Sequence, residues 1–341
     1  MLSPLCDLLP RGLLMPRFCL ALAVVVSCSA LPRSVSAEES IFDGEPKMIL
    51  EKGSGEGPAW HPELGLLFSG HGGTGRLALD GKQSMFREGA GTNGLLFDAK
   101  GRLVCCEAQA RRVTRVDSDG KVTVLANGLD GMKFNQPNDL TIDSKGRIYF
   151  SDPQYGPRGK MEMKDKDGKL VEGVYRIDPD GKVTRIIAHE VDRPNGLVIT
   201  PDDKWLYVAD NNNNDIGGAR KLWRFAMKNG QPKLKSQKLI YDWKNGRGPD
   251  GMVLDQEGRL FVAGGRDKAA PPAETSEMTA GAYVFSPKGK LLKIVPIPRD
   301  EVTNCTFGGA DMKTLYVTAG GTLWTIRTNV PGRVVWPAAK K

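Results

Sequence analysis

Several residue types on which enzymes commonly depend are scarce in this sequence or show no familiar arrangement. It has three histidines in 341 residues, His61, His71 and His189, and they lie in unrelated contexts. No Cys-x-x-Cys pair, no Gly-x-Ser-x-Gly elbow and no P-loop is present. These absences argue against a thiolate zinc site, a serine-nucleophile triad and a phosphate-binding loop. Beyond the N-terminus no segment stands out for helical spacing of apolar residues, which argues against a helical fold.

Cysteine is scarce where the folded part of the chain is expected. Three of the six cysteines precede residue 38, namely Cys6, Cys19 and Cys28. The others are Cys105, Cys106 and Cys305. Because three is an odd number and two of them are adjacent, the pattern does not indicate a disulfide framework. We interpret them as small buried strand residues, with a Cys105–Cys106 disulfide as the alternative.

Residues 1–37 have the layout of an export signal. Arg11 and Arg17 precede an apolar run over residues 18–31, and small residues lead to a cleavage position after Ala37. The run is too short for a typical membrane-spanning helix. An alternative is a lipoprotein signal that leaves Cys28 as a lipidated N-terminus. Both interpretations predict export, to the periplasm or the medium, and we expect one folded domain over residues 38–341.

The charge of the chain is basic but diffuse. The net charge is +8, of which residues 1–37 contribute +2. Lysine and arginine do not form a long block, so the sequence predicts a solvated basic surface and no nucleic-acid partner.

The most informative feature of the sequence is a repeat of two short apolar strands joined by a polar turn. The six copies are AWHPELGLLFSG (59–70), LLFDAKGRLVCCE (95–107), LTIDSKGRIYFSD (140–152), LVITPDDKWLYVAD (197–210), MVLDQEGRLFVAG (252–264) and FGGADMKTLYVTAG (307–320). A second hairpin of alternating residues follows each of the first five copies. Each repeat therefore supplies four strands, as a propeller blade does.

This pattern predicts an all-β fold, a six-bladed β-propeller with four-stranded antiparallel blades. The sixth repeat lacks its outer strand, and we expect residues 46–50 at the mature N-terminus to supply it and close the ring. A pair of β-sandwiches is the alternative, which the regular four-strand period disfavours. Three long connections, residues 152–173, 211–220 and 264–281, are predicted to lie on one face, as solvated loops or as a rim over a site.

One polar residue stands at the start of the first strand of every blade. In chain order these mouth residues are Glu56, Asn93, Asn138, Asn195, Asp250 and Asn304, with Cys305 as the alternative in the sixth blade. Each of them, taken alone, is an ordinary turn residue. In a propeller, however, the first strand of every blade is innermost, so the six positions converge on the central axis.

Four of the mouth residues together predict a metal site. Glu56 and Asp250 supply carboxylates, and Asn138 and Asn195 supply amide oxygens. An all-oxygen donor set favours Ca²⁺ or Mg²⁺, with Mn²⁺ or Zn²⁺ as alternatives. Two carboxylates balance the charge of one divalent ion, which lowers the cost of burying them.

The motifs around these residues resemble those of the SMP-30/gluconolactonase (regucalcin-like) family. They are EGPAW at Glu56, QPNDL at Asn138, RPNGL at Asn195, GPDGM at Asp250 and CTFGG near the end, and they extend over most of the chain. The resemblance implies a six-bladed propeller with one divalent ion in its central channel, for which Ca²⁺ is the favoured identity. It also implies that Glu56, Asn195 and Asp250 bind the ion, and that Asn138 binds it or contacts the substrate.

The expected protein is an exported monomer or dimer that hydrolyses a small-molecule sugar lactone with the help of the metal. We expect Asp250 to orient and deprotonate water, and Asn93, Gln136 and Asn138 to contact substrate hydroxyls. Some family members carry Arg at the position of Gln136, which leaves the sugar specificity open. Asp210 is expected to support the ligands or to cap its strand. The alternatives are a non-catalytic binding propeller with a structural Ca²⁺ and a related metal-dependent esterase or phosphotriesterase.

Overall fold

Alternating apolar residues and regularly spaced turns produce six antiparallel sheets around a central channel. The computed structural model describes residues 40–336, and both the predicted cleavage position after Ala37 and the alternative lipidation site Cys28 lie outside them. Within the described residues, no helix has both the length and the apolar character needed to cross a membrane. The only regular helical segments there are two 3₁₀ turns, Arg158–Lys160 and Leu234–Ser236.

The strands follow one another with short connections through most of the chain. In chain order they are β1 (Phe42–Leu50), β2 (Glu56–His61), β3 (Gly65–Gly70), β4 (Gly73–Leu77), β5 (Gln83–Arg87), β6 (Thr92–Phe97), β7 (Leu103–Glu107), β8 (Arg112–Val116), β9 (Val122–Ala126), β10 (Gly128–Leu129), β11 (Met132–Lys133), β12 (Leu140–Ile142), β13 (Ile148–Asp152), β14 (Gly173–Ile177), β15 (Val183–Ile187), β16 (Pro194–Ile199), β17 (Trp205–Asn211), β18 (Arg220–Lys228), β19 (Gln231–Pro232), β20 (Lys238–Asp242), β21 (Met252–Asp255), β22 (Leu260–Gly264), β23 (Gly281–Phe285), β24 (Leu291–Pro296), β25 (Val302–Gly308), β26 (Thr314–Ala319), β27 (Thr322–Thr328) and β28 (Gly332–Arg333).

The pairing of these strands confirms the predicted six-bladed propeller. From the inner to the outer strand, the blades are β2–β5, β6–β9, β12–β15, β16–β17–β18–β20, β21–β24 and β25–β26–β27–β1. The short strand β19 also pairs with β18, and β10 pairs with β11 in a separate small hairpin. The first strand of every blade contributes residues to the wall of the channel. We call the end at which these first strands begin the upper end.

A repeated turn explains why three copies of the sequence motif carry Asp, Gly and Arg at fixed spacing. In blade 2, Oδ1 of Asp98 accepts hydrogen bonds from the backbone N–H groups of Lys100 and Arg102, and Oδ2 accepts one from Arg102 Nε at 2.8 Å. Gly101 adopts a φ of +73°, which glycine tolerates at little cost. The same arrangement recurs with Asp143 and Arg147, and with Asp255 and Arg259.

The N-terminal strand closes the ring, as predicted. In β1, Lys47 pairs with Thr325 and Met48 pairs with Trp324 of β27. The predicted range of 46–50 was too short, because the strand begins at Phe42. That side chain is buried against Phe261, with the ring centroids 5.9 Å apart. The anchoring contact is with blade 5, and the local sequence pattern around Phe42 does not reveal it.

The segment over residues 331–336 crosses the lower end of the channel. Its strand β28 pairs with the inner strand of blade 5, and the ring of Trp336 lies 4.5 Å from that of His61 in blade 1. A cavity of about 900 Å³ lies between this segment and the mouth residues. Gly332 is required at its position, because a Cβ there would overlap the ring of Phe307.

The cysteine prediction agrees with the structure. Cys105, Cys106 and Cys305 are buried thiols, and none of them forms a disulfide. Cys105 and Cys106 follow each other in β7, so their side chains point to opposite faces of the sheet. They accordingly pack in two different core clusters.

Blades 1 and 2 are joined by a buried carboxylate. Glu107 of β7 accepts hydrogen bonds from Arg87 of blade 1 at 2.5 Å, from Arg112 at 2.5 Å and from Thr114 at 2.7 Å. Burial raises the pKa of Glu107, but these hydrogen bonds outweigh it and hold the pKa below its ordinary value. The ionised form of Glu107 therefore stabilises the fold at any pH above the pKa that it has in the unfolded chain.

Replacing Glu107 by glutamine tests this contribution. At pH 7, Glu107→Gln should lower the free energy of unfolding by about 1–3 kcal/mol, because the charge-assisted bonds are lost. The difference from the unmodified protein should shrink as the pH falls through the folded pKa, because Glu107 itself is then protonated. Urea unfolding at several pH values measures this. The exposed Glu88→Gln is the matched control, and an equal loss at all pH values would contradict the assignment.

Candidate functional site

The six mouth residues meet at the upper end of the channel. They lie in or just before the first strands: Glu56 in β2, Asn93 in β6, Asn138 before β12, Asn195 in β16, Asp250 before β21 and Asn304 in β25. In blade 6 the position belongs to Asn304, whose Nδ2 lies 3.4 Å from Oε2 of Glu56. The alternative, Cys305, is buried in the core, where its thiol donates to the carbonyl oxygen of Phe261 at 3.6 Å.

Glycine after the mouth residue allows neighbouring blades to approach each other closely. A Cβ on Gly196 would overlap the carbonyl oxygen of Asp250 in the next blade, and a Cβ on Gly251 would overlap the side chain of Asn304. In the same way, a Cβ on Gly57 would overlap the carbonyl oxygen of Asn93, and one on Gly94 would overlap that of Asn138. The paired Asn-Gly and Asp-Gly motifs are therefore more than turn signals, because the glycine makes room for the next blade.

Asp250 is held from both its backbone and its side chain. Its N–H donates to the carbonyl oxygen of Ala263 at 2.8 Å. Its Oδ2 accepts a hydrogen bond from Asn211 Nδ2 at 3.4 Å and lies 3.7 Å from Arg247 Nη2. Burial raises the pKa of Asp250, Arg247 lowers it and Asp139 raises it further, and the net direction is upward.

Asn195 presents its amide in one defined orientation. Its Nδ2 donates to the hydroxyl of Tyr155 at 2.7 Å. Its Oδ1 is buried and has no hydrogen-bond partner among residues 40–336, and the same holds for Oδ1 of Asp250. Buried oxygens without a donor are costly, so the two atoms mark a place for a group that the protein itself does not supply.

A third carboxylate, Asp139, adds to the negative charge of the site. It directly follows Asn138, and its Oδ2 lies 3.5 Å from Asn304 Nδ2. Burial raises the pKa of Asp139 to about 7. Burial also raises the pKa of Glu56 well above its ordinary value, and the neighbouring charges of Asp250 and Asp139 raise it further. The three carboxylates repel one another when they are ionised, and a bound cation would relieve that repulsion.

The chemistry of the donor set fits a hard divalent cation. Within residues 40–336, no three His, Cys, Asp or Glu side chains come close enough to hold a metal by themselves. A ligand set here therefore needs amide oxygens as well as carboxylates. Glu56 and Asp250 with the unpartnered Oδ1 of Asn195 provide such a set, and oxygen ligands of this kind suit Ca²⁺ or Mg²⁺.

The three predicted substrate-binding residues differ in their hydrogen bonding. Asn93 has a buried Oδ1 without a partner in the described part of the chain. Asn138 is buried, and its carbonyl oxygen accepts the N–H of Gly94 at 2.6 Å. The Oε1 of Gln136 accepts the backbone N–H of Tyr155 at 2.8 Å, and its Nε2 is left to meet a substrate. Their roles toward a substrate stay predictions.

Asp210 supports the turn that carries Asn195. Its carboxylate accepts the backbone N–H groups of Asp192 at 3.1 Å and Arg193 at 2.9 Å, and the indole N–H of Trp223 at 3.1 Å. Burial raises the pKa of Asp210 to about 6. These contacts hold the turn just before Asn195 in place, and a supporting role of Asp210 toward a bound ion stays a prediction.

Sequence reasoning missed four residues of the site: Asp139, Tyr155, Asn211 and Arg247. Asp139 takes the place that glycine holds in four other blades, and this substitution was a usable signal. Asn211 directly follows the motif that ends at Asp210, and Arg247 directly precedes the motif GPDGM that contains Asp250. Tyr155 belongs to the long connection over residues 152–173, and no local pattern indicates that it reaches Asn195.

The geometry and the sequence motifs lead to one family. A family model described as the SMP-30/gluconolactonase/LRE-like region matches residues 54–321, most of the chain. The chain belongs to this family. The match includes all six mouth residues and the three long connections, but it stops short of the segment over residues 331–336.

Individual relatives agree with this assignment. A gluconolactonase from Zymomonas mobilis is 30% identical over 304 residues, which are 86% of this chain and 76% of the relative. A solved structure of a gluconolactonase from Xanthomonas campestris superposes with a TM-score of 0.68 at 31% identity, covering 84% of this chain and 89% of that one. Regucalcin from Oryctolagus cuniculus is 31% identical over 204 residues, 59% of this chain and 60% of its own length.

The close approach of blades 4 and 5 gives a test of the site architecture. Gly196→Ala should destabilise the protein by about 1–3 kcal/mol, because the new methyl group would overlap the Asp250 carbonyl oxygen. Gly159→Ala is the matched control, since a Cβ there meets no atom within 4 Å, and its effect should stay within about 0.5 kcal/mol. Urea unfolding measures both. Equal stability of the two variants would show that the blades do not pack in this way.

Proposed function

We propose that this protein is an exported, divalent-metal-dependent hydrolase of sugar lactones. The observation that carries the proposal is the convergence of Glu56, Asn195 and Asp250, with two buried oxygens, Asn195 Oδ1 and Asp250 Oδ1, left without donors. The gluconolactonases of Zymomonas mobilis and Xanthomonas campestris, similar over most of the chain, support lactones as the substrate class.

Glu56, Asn195 and Asp250 would hold the ion, with Asn138 as a further ligand or a substrate contact. We favour Ca²⁺ because all donors are oxygens and no histidine or thiolate is among them. When bound, the ion supplies positive charge that polarises the lactone carbonyl and stabilises the oxyanion formed from it.

Asp250 is the residue best placed to act as the base. Asn211 and Arg247 contact its Oδ2, whereas its Oδ1 has no partner among residues 40–336. Asp250 takes a proton from water as the water oxygen bonds to the lactone carbonyl carbon. The ring C–O bond then breaks, and the ring oxygen receives a proton from Asp250 to become a hydroxyl. The product is the open-chain hydroxy acid, and Asp250 returns to its starting form.

The substrate hydroxyls would meet the polar mouth residues that the ion does not use. Asn93 offers its unpartnered Oδ1 as an acceptor. Gln136 can donate through Nε2, while its Oε1 accepts the backbone N–H of Tyr155. An arginine at this position would donate through several N–H groups, so we expect a different hydroxyl preference from relatives that carry one.

The proposal that the protein is exported depends on residues 1–37. The charged, apolar and small-residue regions of this segment follow the order of a cleaved signal. The mass of the mature protein recovered from its native host tests this proposal. A chain beginning after Ala37 supports the cleaved signal, and a lipidated chain beginning at Cys28 supports the anchored form. An intact N-terminus would overturn export by either route.

The central experiment measures hydrolysis of glucono-δ-lactone by pH-stat, after EDTA treatment and after adding back Ca²⁺, Mg²⁺, Mn²⁺ or Zn²⁺ singly. Activity should vanish with EDTA and return with at least one ion. Asp250→Asn should lower kcat by a factor of about 10² or more, the range expected for loss of a general base. Asp119→Asn, in an exposed turn, is the control for a change of one charge and should leave the rate unaltered.

The outcome against the proposal is equally specific. A folded protein that binds a divalent ion but hydrolyses no sugar lactone would refute the lactonase assignment. A panel of aryl esters and phosphotriesters would then separate another hydrolase from a non-catalytic propeller.

A further inference from the structure

Tyr155 reaches the mouth residues from outside the blades. It lies in the connection between β13 and β14, beyond the regular strands. Its hydroxyl is nevertheless 2.7 Å from Asn195 Nδ2 and 3.1 Å from Asn211 Oδ1. A residue of the connection after β13 therefore contacts the mouth residue of blade 4 and the last residue of β17.

Backbone groups determine which atoms donate and which accept in the hydrogen bonds around Asn211. The N–H of Gly248 donates to Asn213 Oδ1 at 2.8 Å, which orients the Asn213 amide. Asn213 Nδ2 then donates to Asn211 Oδ1 at 2.8 Å. Asn211 Nδ2 in turn donates to the carbonyl oxygen of Pro249 at 2.7 Å. Because backbone groups cannot exchange donor and acceptor roles, both asparagine side chains have fixed orientations.

This fixed orientation passes through Tyr155 to Asn195. Asn211 Oδ1 can only accept, so the hydroxyl proton of Tyr155 points to it. The hydroxyl oxygen is then left as an acceptor for Asn195, which must present Nδ2 to it. The Asn195 Oδ1 consequently has to face the other way, where it has no partner among the described residues. An amide flipped by 180° would instead aim N–H groups at the place of a cation.

Tyr155 is itself held firmly in place. Its backbone N–H donates to Gln136 Oε1 at 2.8 Å, and the guanidinium carbon of Arg193 lies 5.5 Å from its ring centroid. Arg193 is buried and pairs with Glu172 at 3.0 Å, and Glu172 also accepts the N–H of Gln154. The glutamine at position 136 thus has a role that arginine could not fill, since arginine has no acceptor.

We infer that Tyr155 is a positioning residue, whose hydroxyl selects the amide orientation of Asn195 that offers Oδ1 to a divalent cation. The same hydroxyl links Asn195 through Asn211 to Asp250, so one side chain aligns two of the groups that would bind the ion. The inference rests on the ion site of the proposed function but not on the identity of the substrate.

The test is the affinity of the purified protein for Ca²⁺, measured by calorimetry with no lactone present. Tyr155→Phe keeps the ring beneath Arg193 and removes only the hydroxyl. It should weaken Ca²⁺ binding about 10–100-fold, the range typical of lost support for a metal ligand. Tyr241→Phe is the matched control, because the hydroxyl of Tyr241 has only a weak contact with Met278 Sδ at 4.0 Å, and its affinity should be unchanged.

A second background separates orientation from general loosening of the site. A carboxylate presents an oxygen whichever way it is turned, so in Asn195→Asp the choice of orientation no longer exists. Adding Tyr155→Phe to Asn195→Asp should therefore change the Ca²⁺ affinity by less than about threefold. A loss as large as in the asparagine background would show a merely structural role and overturn the inference.

The two proposals can fail separately. Unchanged Ca²⁺ affinity in Tyr155→Phe would overturn the role of Tyr155 while the protein could still hydrolyse lactones. Weakened binding in a protein without lactonase activity would support the role of Tyr155 and refute only the assigned reaction.

Discussion

The structure depends on how closely six inner strands approach one axis. At the upper end of the channel the backbone of one blade meets the mouth residue of the next, with no space for a Cβ at Gly196 or Gly251. Closure of the ring by β1 holds the blades at this separation. The same closeness places polar side chains from different blades in contact, so the fold and the site have one geometric cause.

That closeness creates an electrostatic problem that the site must solve. The charges of Asp250 and Asp139 make Glu56 harder to ionise, the charge of Asp139 does the same to Asp250, and Arg247 is the cation that pairs with Asp250. Arg247 also pairs with Glu274 at 3.1 Å, so its charge is shared with another carboxylate. A divalent ion compensates two carboxylates at once, and neutral amides complete its ligand set without adding further negative charge. This explains why asparagine is so frequent among the mouth residues.

Features that recur in the blades could be predicted from the sequence, whereas features that occur only once could not. The alternation of apolar residues and the position of the mouth residue recur in every blade, and the Asp-x-x-Gly-Arg turn recurs in three of them. Comparing the copies therefore located the six blades and the mouth residues. Tyr155 lies in a connection that occurs once, Asn211 is the last residue of β17, and the positions of both depend on contacts between blades. The start of β1 was misplaced for the same reason, because Phe42 is anchored by Phe261 of another blade.

Comparison of the repeats could also have revealed Asp139. In four blades the residue after the mouth residue is glycine, because the neighbouring chain leaves no room. Blade 3 departs from this rule with Asp139, and blade 6 departs from it with Cys305. Cys305 turns into the core, where a small apolar side chain is accommodated, whereas Asp139 stays close to Asn304 and faces the other carboxylates. A residue other than glycine after a mouth residue can thus either pack in the core or add a charge to the site, and its chemical type indicates which.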